Sequence, residues 1–145
     1  MPSLALDLDA VLADTRPVWR DWLDDAARRA RADLGDMPED RGQAAAVLDE
    51  RLGDWRPLLE RFAADRAPLH FRPRPDTGAA LRRLHAGGAR IGVFTDAPRE
   101  LADIALAHVG AARRVDVVGT LEDVQRELGA EAVVVRSRDE LLGLA

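Results

Sequence analysis

The chain contains no cysteine, lysine, asparagine or tyrosine. Without cysteine, disulfides and thiolate metal sites are excluded. Without lysine, all 21 basic side chains counted as Lys+Arg are arginines. Codon bias toward Arg and Ala explains that skew, but any role that needs an ammonium group must be filled otherwise. No apolar run approaches the ~20 residues of a membrane span, and the N-terminus lacks a basic-then-apolar leader. The expectation is a soluble, cytoplasmic protein with no membrane partner. A net charge of −5, spread along the chain, counts against nucleic acid. The three arginines of "AARRARA" (Ala26–Ala32) read as an exposed basic face. What is present is 145 residues at 47% apolar content, enough for one packed domain carrying an insertion.

Periodicity divides the chain. Leu4–Leu8 reads as a short apolar strand. From Arg16 the apolar residues Val18, Trp19, Trp22, Leu23, Ala26, Ala27 and Ala30 recur at helical spacing until Gly35 and Pro38. A second helix carries Val47, Leu48 and Leu52. A third is capped by Asp54 and presents Trp55, Leu58, Leu59 and Phe62 on one face. "RAPLHFRPRPDTG" (Arg66–Gly78), with three prolines, reads as a linker. Beyond it, helices and strands alternate: a helix around Ala79–His85, the strand "RIGVFTD", a helix from Pro98 to about Val109 and the strand "VDVVG". A short helix around Leu121–Leu128, the strand "AVVV" and a last helix around Arg138–Leu142 complete the chain. Such alternation means βαβ units and a parallel sheet. The fold class is therefore α/β: a Rossmann-like core of four parallel strands, with about 55 helical residues inserted after the first.

In such folds ligands bind beyond the carboxyl ends of the strands. Two aspartates, Asp7 and Asp9, stand at one such end, and "TDAP" at another. On an extended segment residues i and i+2 point the same way, so the pair could converge. Carboxylates that close repel unless a cation or proton intervenes. A hard cation such as Mg²⁺ suits their oxygens; one carboxylate could then attack phosphorus while the other serves as acid or base. The plainer alternative is a strand-end aspartate capping a turn.

The wider stretch "LDLDAVLADT" resembles the first motif of the haloacid dehalogenase (HAD) superfamily. "IGVFTDAP" is similar to that family's second motif, and the helical insertion falls where the family's cap lies. The resemblance runs through nearly the whole chain and implies a core of residues 1–14 and 70–145 with a helical cap over 15–69. It implies that Asp7 is the nucleophile of an aspartyl-phosphate, that Asp9 is the acid/base, and that Thr95 holds phosphoryl oxygens. It also implies Mg²⁺ bound by Asp7 and, through its carbonyl, Asp9. Asp9 fits the family's phosphatases and weighs against a dehalogenase.

Several positions depart from the pattern. Ala10 replaces the usual glycine. The third motif's lysine is absent, and "GTLEDVQRELGAEA" is too short for the loop that carries it; Arg113, Arg114 and Arg126 are the stand-ins considered. In "VVVRSRDE" Val135 replaces glycine, Arg136 stands where the metal-binding acid belongs, and Glu140 falls at the second acid. A guanidinium cannot ligate a metal. Three readings follow. Arg136 points inward, replaces both lysine and metal, pairs with Asp7 and Asp9, and with Thr95 leaves a pocket for a phosphate or other anion; or it reaches solvent and the site is dead; or Asp96, Asp139 or Glu140 rescues a metal site. The functional expectation is a HAD-like phosphohydrolase-type protein, a weak or atypical phosphatase. The alternative is an inactive relative that binds a phosphorylated ligand or a protein partner.

The remaining features have ordinary explanations beside functional ones. Asp96 reads as a helix N-cap. Trp19, Trp22 and Trp55 read as packing between cap helices, with a substrate pocket as the alternative. His70 and His85 stand alone and read as structural.

Overall fold

The computed structural model describes residues 2–31 and 34–145. Met1, Ala32 and Asp33 lie outside them, Ala32 being the last residue of the basic stretch noted above. Four parallel strands form one sheet: β1 (Ser3–Asp7), β2 (Arg90–Phe94), β3 (Val117–Gly119) and β4 (Val133–Val135), in the order β3-β2-β1-β4. Asp7 pairs in register with Phe94, and Leu6 with both Val93 and Val135. All four carboxyl ends therefore open on one side. The chain leaves β1 toward β2 and β3, then returns past β1 to β4, so strand order reverses beside β1.

Alternation along β1 sends its residues to opposite faces. Leu4 and Leu6 join the large apolar cluster, whereas Ala5 joins a smaller one with Phe94, Val124 and Leu128. The smaller cluster is covered by α6 (Leu121–Leu128), whose N-terminus carries a reciprocal Thr120–Asp123 capping box. That helix lies so close to β2 that a Cβ on Gly92 would stand 2.5 Å from Val124 Cγ1. Glycine is required there by proximity, not by backbone conformation.

Three helices lie between β1 and β2 in sequence: α1 (Arg16–Ala30), α2 (Arg41–Leu52) and α3 (Arg56–His70). Trp19, Trp22 and Trp55 pack together with ring centroids 5.4–6.3 Å apart, as their helical spacing predicts. Trp22 and Trp55 also border a surface cleft of about 500 Å³ shared with Leu58 and Phe62. Trp55, Leu48 and Leu59 belong to the same continuous cluster as Leu4, Leu6 and Val93. The inserted helices thus share their core with the sheet, and α3 packs on α5 (Arg99–His108) as well as on α1.

Several boundaries differ from the sequence reading. The linker of residues 66–78 shrinks to the four residues 71–74, because α3 runs on to His70 with Pro68 inside it, and α4 (Pro75–Ala86) begins at a proline suited to a first turn. The cap residue of α3 is Trp55, not Asp54. The strand "VDVVG" starts two residues late, since Asp116 accepts a hydrogen bond from the Ile91 N–H through its side chain (2.9 Å). The last helix, α7 (Arg138–Leu144), runs beyond Leu142. Among the described residues no helix is long and apolar enough to cross a membrane.

Candidate functional site

The strand ends at Asp7, and residues 8–12 wind into a single π-helical turn closed by Ala13 N–H on the Leu8 carbonyl (2.9 Å). Asp7 and Asp9 therefore do not alternate along one extended segment, as their spacing alone implied. They still line one cavity, of about 350 Å³, with Asp40, Phe94, Thr95 and Asp96. Asp7, half-buried, accepts only a long bond from Ala10 N–H (3.5 Å) and pairs with no cation among the described residues.

Asp9 is fully engaged. Its Oδ1 accepts from the backbone N–H of Thr15 (2.8 Å) and from the Thr15 hydroxyl (2.6 Å). Its Oδ2 accepts from Nη2 of Arg41. Arg41, only 4% exposed, is the first residue of α2 and reaches down from the inserted helices onto the sheet's carboxyl edge. Its Nη1 donates to the Thr15 hydroxyl (2.6 Å) and its Nε to Asp96 Oδ1 (2.8 Å); its backbone N–H donates to Asp96 Oδ2 (3.1 Å). One guanidinium thus joins the turn after β1 to the loop after β2. Burial alone would push the Asp96 carboxyl up. The Arg41 backbone N–H, its charge and its side-chain hydrogen bond outweigh that and hold Asp96 below the ordinary carboxylate range.

The other candidates lie as follows. Thr95 lines the cavity, and its hydroxyl accepts from the Ala97 N–H (3.0 Å). Asp96 is not a helix N-cap: Pro98 occupies that place, and Asp96 serves Arg41 instead. Arg136 is exposed, with its guanidinium carbon 5.4 Å from the Phe94 ring centroid, and makes no ion pair with Asp7 or Asp9. Arg113 sits in the exposed turn after α5; Arg114, in the same turn, faces α4; Arg126 pairs with Asp123 (3.2 Å) on the outside of α6. Asp139 and Glu140 are exposed on α7, where Glu140 accepts from Ser137 (3.3 Å). His70 lies 3.8 Å from Asp21.

Sequence reasoning missed Arg41 and Thr15. One signal was available: a cation at the first position of a helix faces the positive end of the macrodipole, so it implies an acid from elsewhere in the fold. That signal is not selective here, because α1, α3, α5 and α7 also begin with arginine.

No family model matches this chain, and no curated protein matches it. Among solved structures it is similar to a HAD phosphatase from Thermococcus onnurineus, at 23% sequence identity and a TM-score of 0.49. That match covers 85% of this chain and 63% of the other, so the chain spans under two thirds of that protein's length.

Proposed function

We propose that this chain is a HAD-like protein of the phosphohydrolase type that serves in binding and turns over phosphate esters slowly or not at all. One observation carries this reading: both oxygens of Asp9 accept hydrogen bonds, from Thr15 and from the buried Arg41. An acid that must lend a proton to a leaving group needs an oxygen free to face it, and both Asp9 oxygens are turned to Thr15 and Arg41. Asp7 keeps the nucleophile's position beside it, and Thr95 the hydroxyl's. A carboxylate attacking a phosphate dianion, however, needs positive charge at the reacting oxygens, and the buried Arg41 is already engaged by Asp9 and Asp96.

The same geometry disfavours Mg²⁺. The Asp9 and Asp96 oxygens that a hard cation would require are occupied by Arg41, and Arg136 supplies no oxygen at the end of β4. Among the described residues no three His, Cys, Asp or Glu side chains are grouped to hold a metal ion. The tethered guanidinium takes the cation's place electrostatically while lacking its vacant coordination positions.

A phosphorylated ligand is also poorly matched to this mouth, which presents Asp7, Asp9, Asp40 and Asp96 together. A partner here would be a protein surface or a neutral or cationic group. The test is phosphate release from an activated aryl phosphate and a panel of sugar and nucleotide phosphates, with Mg²⁺ and with chelator, beside Asp7→Asn. The expected result is no turnover above the Asp7→Asn control. Turnover that requires both Mg²⁺ and Asp7 would refute the reading.

A further inference from the structure

Unpaired positive charge gathers away from the aspartates. A cleft of about 210 Å³ lies between the start of α4 and the turn after α5, and Arg74, Arg82 and Arg114 line it with Thr77. No carboxylate lines it, and none of the three arginines forms an ion pair among the described residues. Arg74 and Arg82 are exposed and Arg114 is half-buried. Three like charges around one small cleft repel one another, and in a chain of net charge −5 they stand out.

An adjoining cleft of about 270 Å³ shares Leu12 and Arg74 and adds Arg72 and Arg138. Its two carboxylates are both committed, Asp14 to Arg16 (2.8 Å) and Asp9 to Arg41 and Thr15. The Nε of Arg138 is shut off from solvent with no hydrogen-bond acceptor among the described residues. A buried N–H of a charged group without an acceptor is unusual enough to require a reason. The two clefts therefore offer guanidinium donors in excess of the protein's own acceptors. Guanidinium forks match phosphate oxygens two at a time.

We propose that the paired clefts around Arg74, lined by Arg82, Arg114 and Arg138, bind the phosphate or diphosphate group of a small anionic ligand. Each cleft is below the ~300 Å³ of ordinary ligand pockets, which leaves room for one or two phosphates and little else. The inference shares with the reading above only a role in binding; its ligand class comes from the arginines that line these clefts.

The test is calorimetric titration of the full chain with inorganic phosphate and with pyrophosphate, supported by ³¹P line broadening. Saturable binding is expected, tighter for pyrophosphate. Arg82→Gln and Arg114→Gln should each weaken it about tenfold, the equivalent of one charged hydrogen bond, while Asp7→Asn leaves it unchanged. Arg82 is exposed and Arg114 only half-buried, so circular dichroism of the variants should match the wild type; Arg82→Lys should recover part of the affinity. No saturable binding at millimolar pyrophosphate would overturn the proposal. So would equal affinity in the glutamine variants, loss of binding only in Asp7→Asn, or an oligonucleotide that binds far more tightly than pyrophosphate. Phosphatase turnover through Asp7 would instead refute the preceding section and leave these clefts intact.

Discussion

Replacing Arg41 by methionine should be among the most destabilising single changes available in this chain. The substitution keeps much of the apolar stem and removes the guanidinium, which is 4% exposed and bonded to three side chains. Removing one partner of a buried ion pair costs about 3–5 kcal/mol, because the charge left behind is unpaired. Here the orphaned acids are only partly buried: Asp9 is 15% exposed and Asp96 38%. Water recovers some of the loss, and about 2–4 kcal/mol is expected. For a domain of this size that corresponds to a fall in Tm of roughly 6–12 °C. Arg41→Lys should lie between, since an ammonium keeps the charge but cannot span Asp9, Thr15 and Asp96 together. Urea unfolding of the three proteins measures this directly, and added salt should change the difference little, because buried pairs are weakly screened. A loss below about 0.5 kcal/mol for Arg41→Met, the scale of an ordinary surface change, would refute the view that this arginine ties the inserted helices to the sheet.

Three further outcomes are expected. The Asp96 carboxyl is held below its ordinary value of 3.8 in the folded protein, so the unfolded chain binds more protons in that range. Its contribution is therefore full above pH ~5 and lost as pH falls through the folded value; the stability gap between wild type and Asp96→Asn should close on acidification, and a constant gap down to pH ~2 would contradict this. Millimolar Mg²⁺ should leave the wild-type Tm unmoved but raise that of Arg41→Met, where Asp9 and Asp96 are left without their cation; a wild-type shift abolished by Asp9→Asn would show that the metal does bind. Gly92→Ala should cost about 1–3 kcal/mol by overpacking, since the added methyl meets Val124, Leu128 and Val117 within 3 Å. An unchanged urea midpoint would mean α6 moves away freely.

The parallel sheet was legible because alternation of short apolar runs with helical periods leaves few topologies open, and a right-handed parallel arrangement then aligns the strands' carboxyl ends. Asp7 and Thr95 could be placed near one another on that basis alone, and they do line one cavity. Asp9 was harder. Its i, i+2 relation to Asp7 carries geometric meaning only while the backbone stays extended, and the π-helical turn starting at Leu8 removes that condition. The stretch around Pro68 failed for another reason. Proline density argues for a loop, yet Pro68 lies two residues from the end of α3, where losing one backbone hydrogen bond is offset by burying Ala63 and Ala67 in the core.

Arg41 is not found by looking along the later strands for a lysine substitute, because charge compensation does not respect chain position. The arginines near the later strands, Arg113, Arg114, Arg126 and Arg136, form no ion pair with Asp7 or Asp9 among the described residues. The cation instead comes from 32 residues after Asp9 and 55 before Asp96, out of the inserted helices. What the carboxylates at a strand end require is a positive charge at short range, from whichever element the packing brings there. An arginine that supplies it from the inserted helices has a consequence a metal ion does not: those helices cannot part from the sheet without stripping Asp9 and Asp96 of their counter-charge. In this chain, opening the site and destabilising its acids are therefore one event. That coupling adds to the continuous apolar cluster in holding the inserted helices on the sheet.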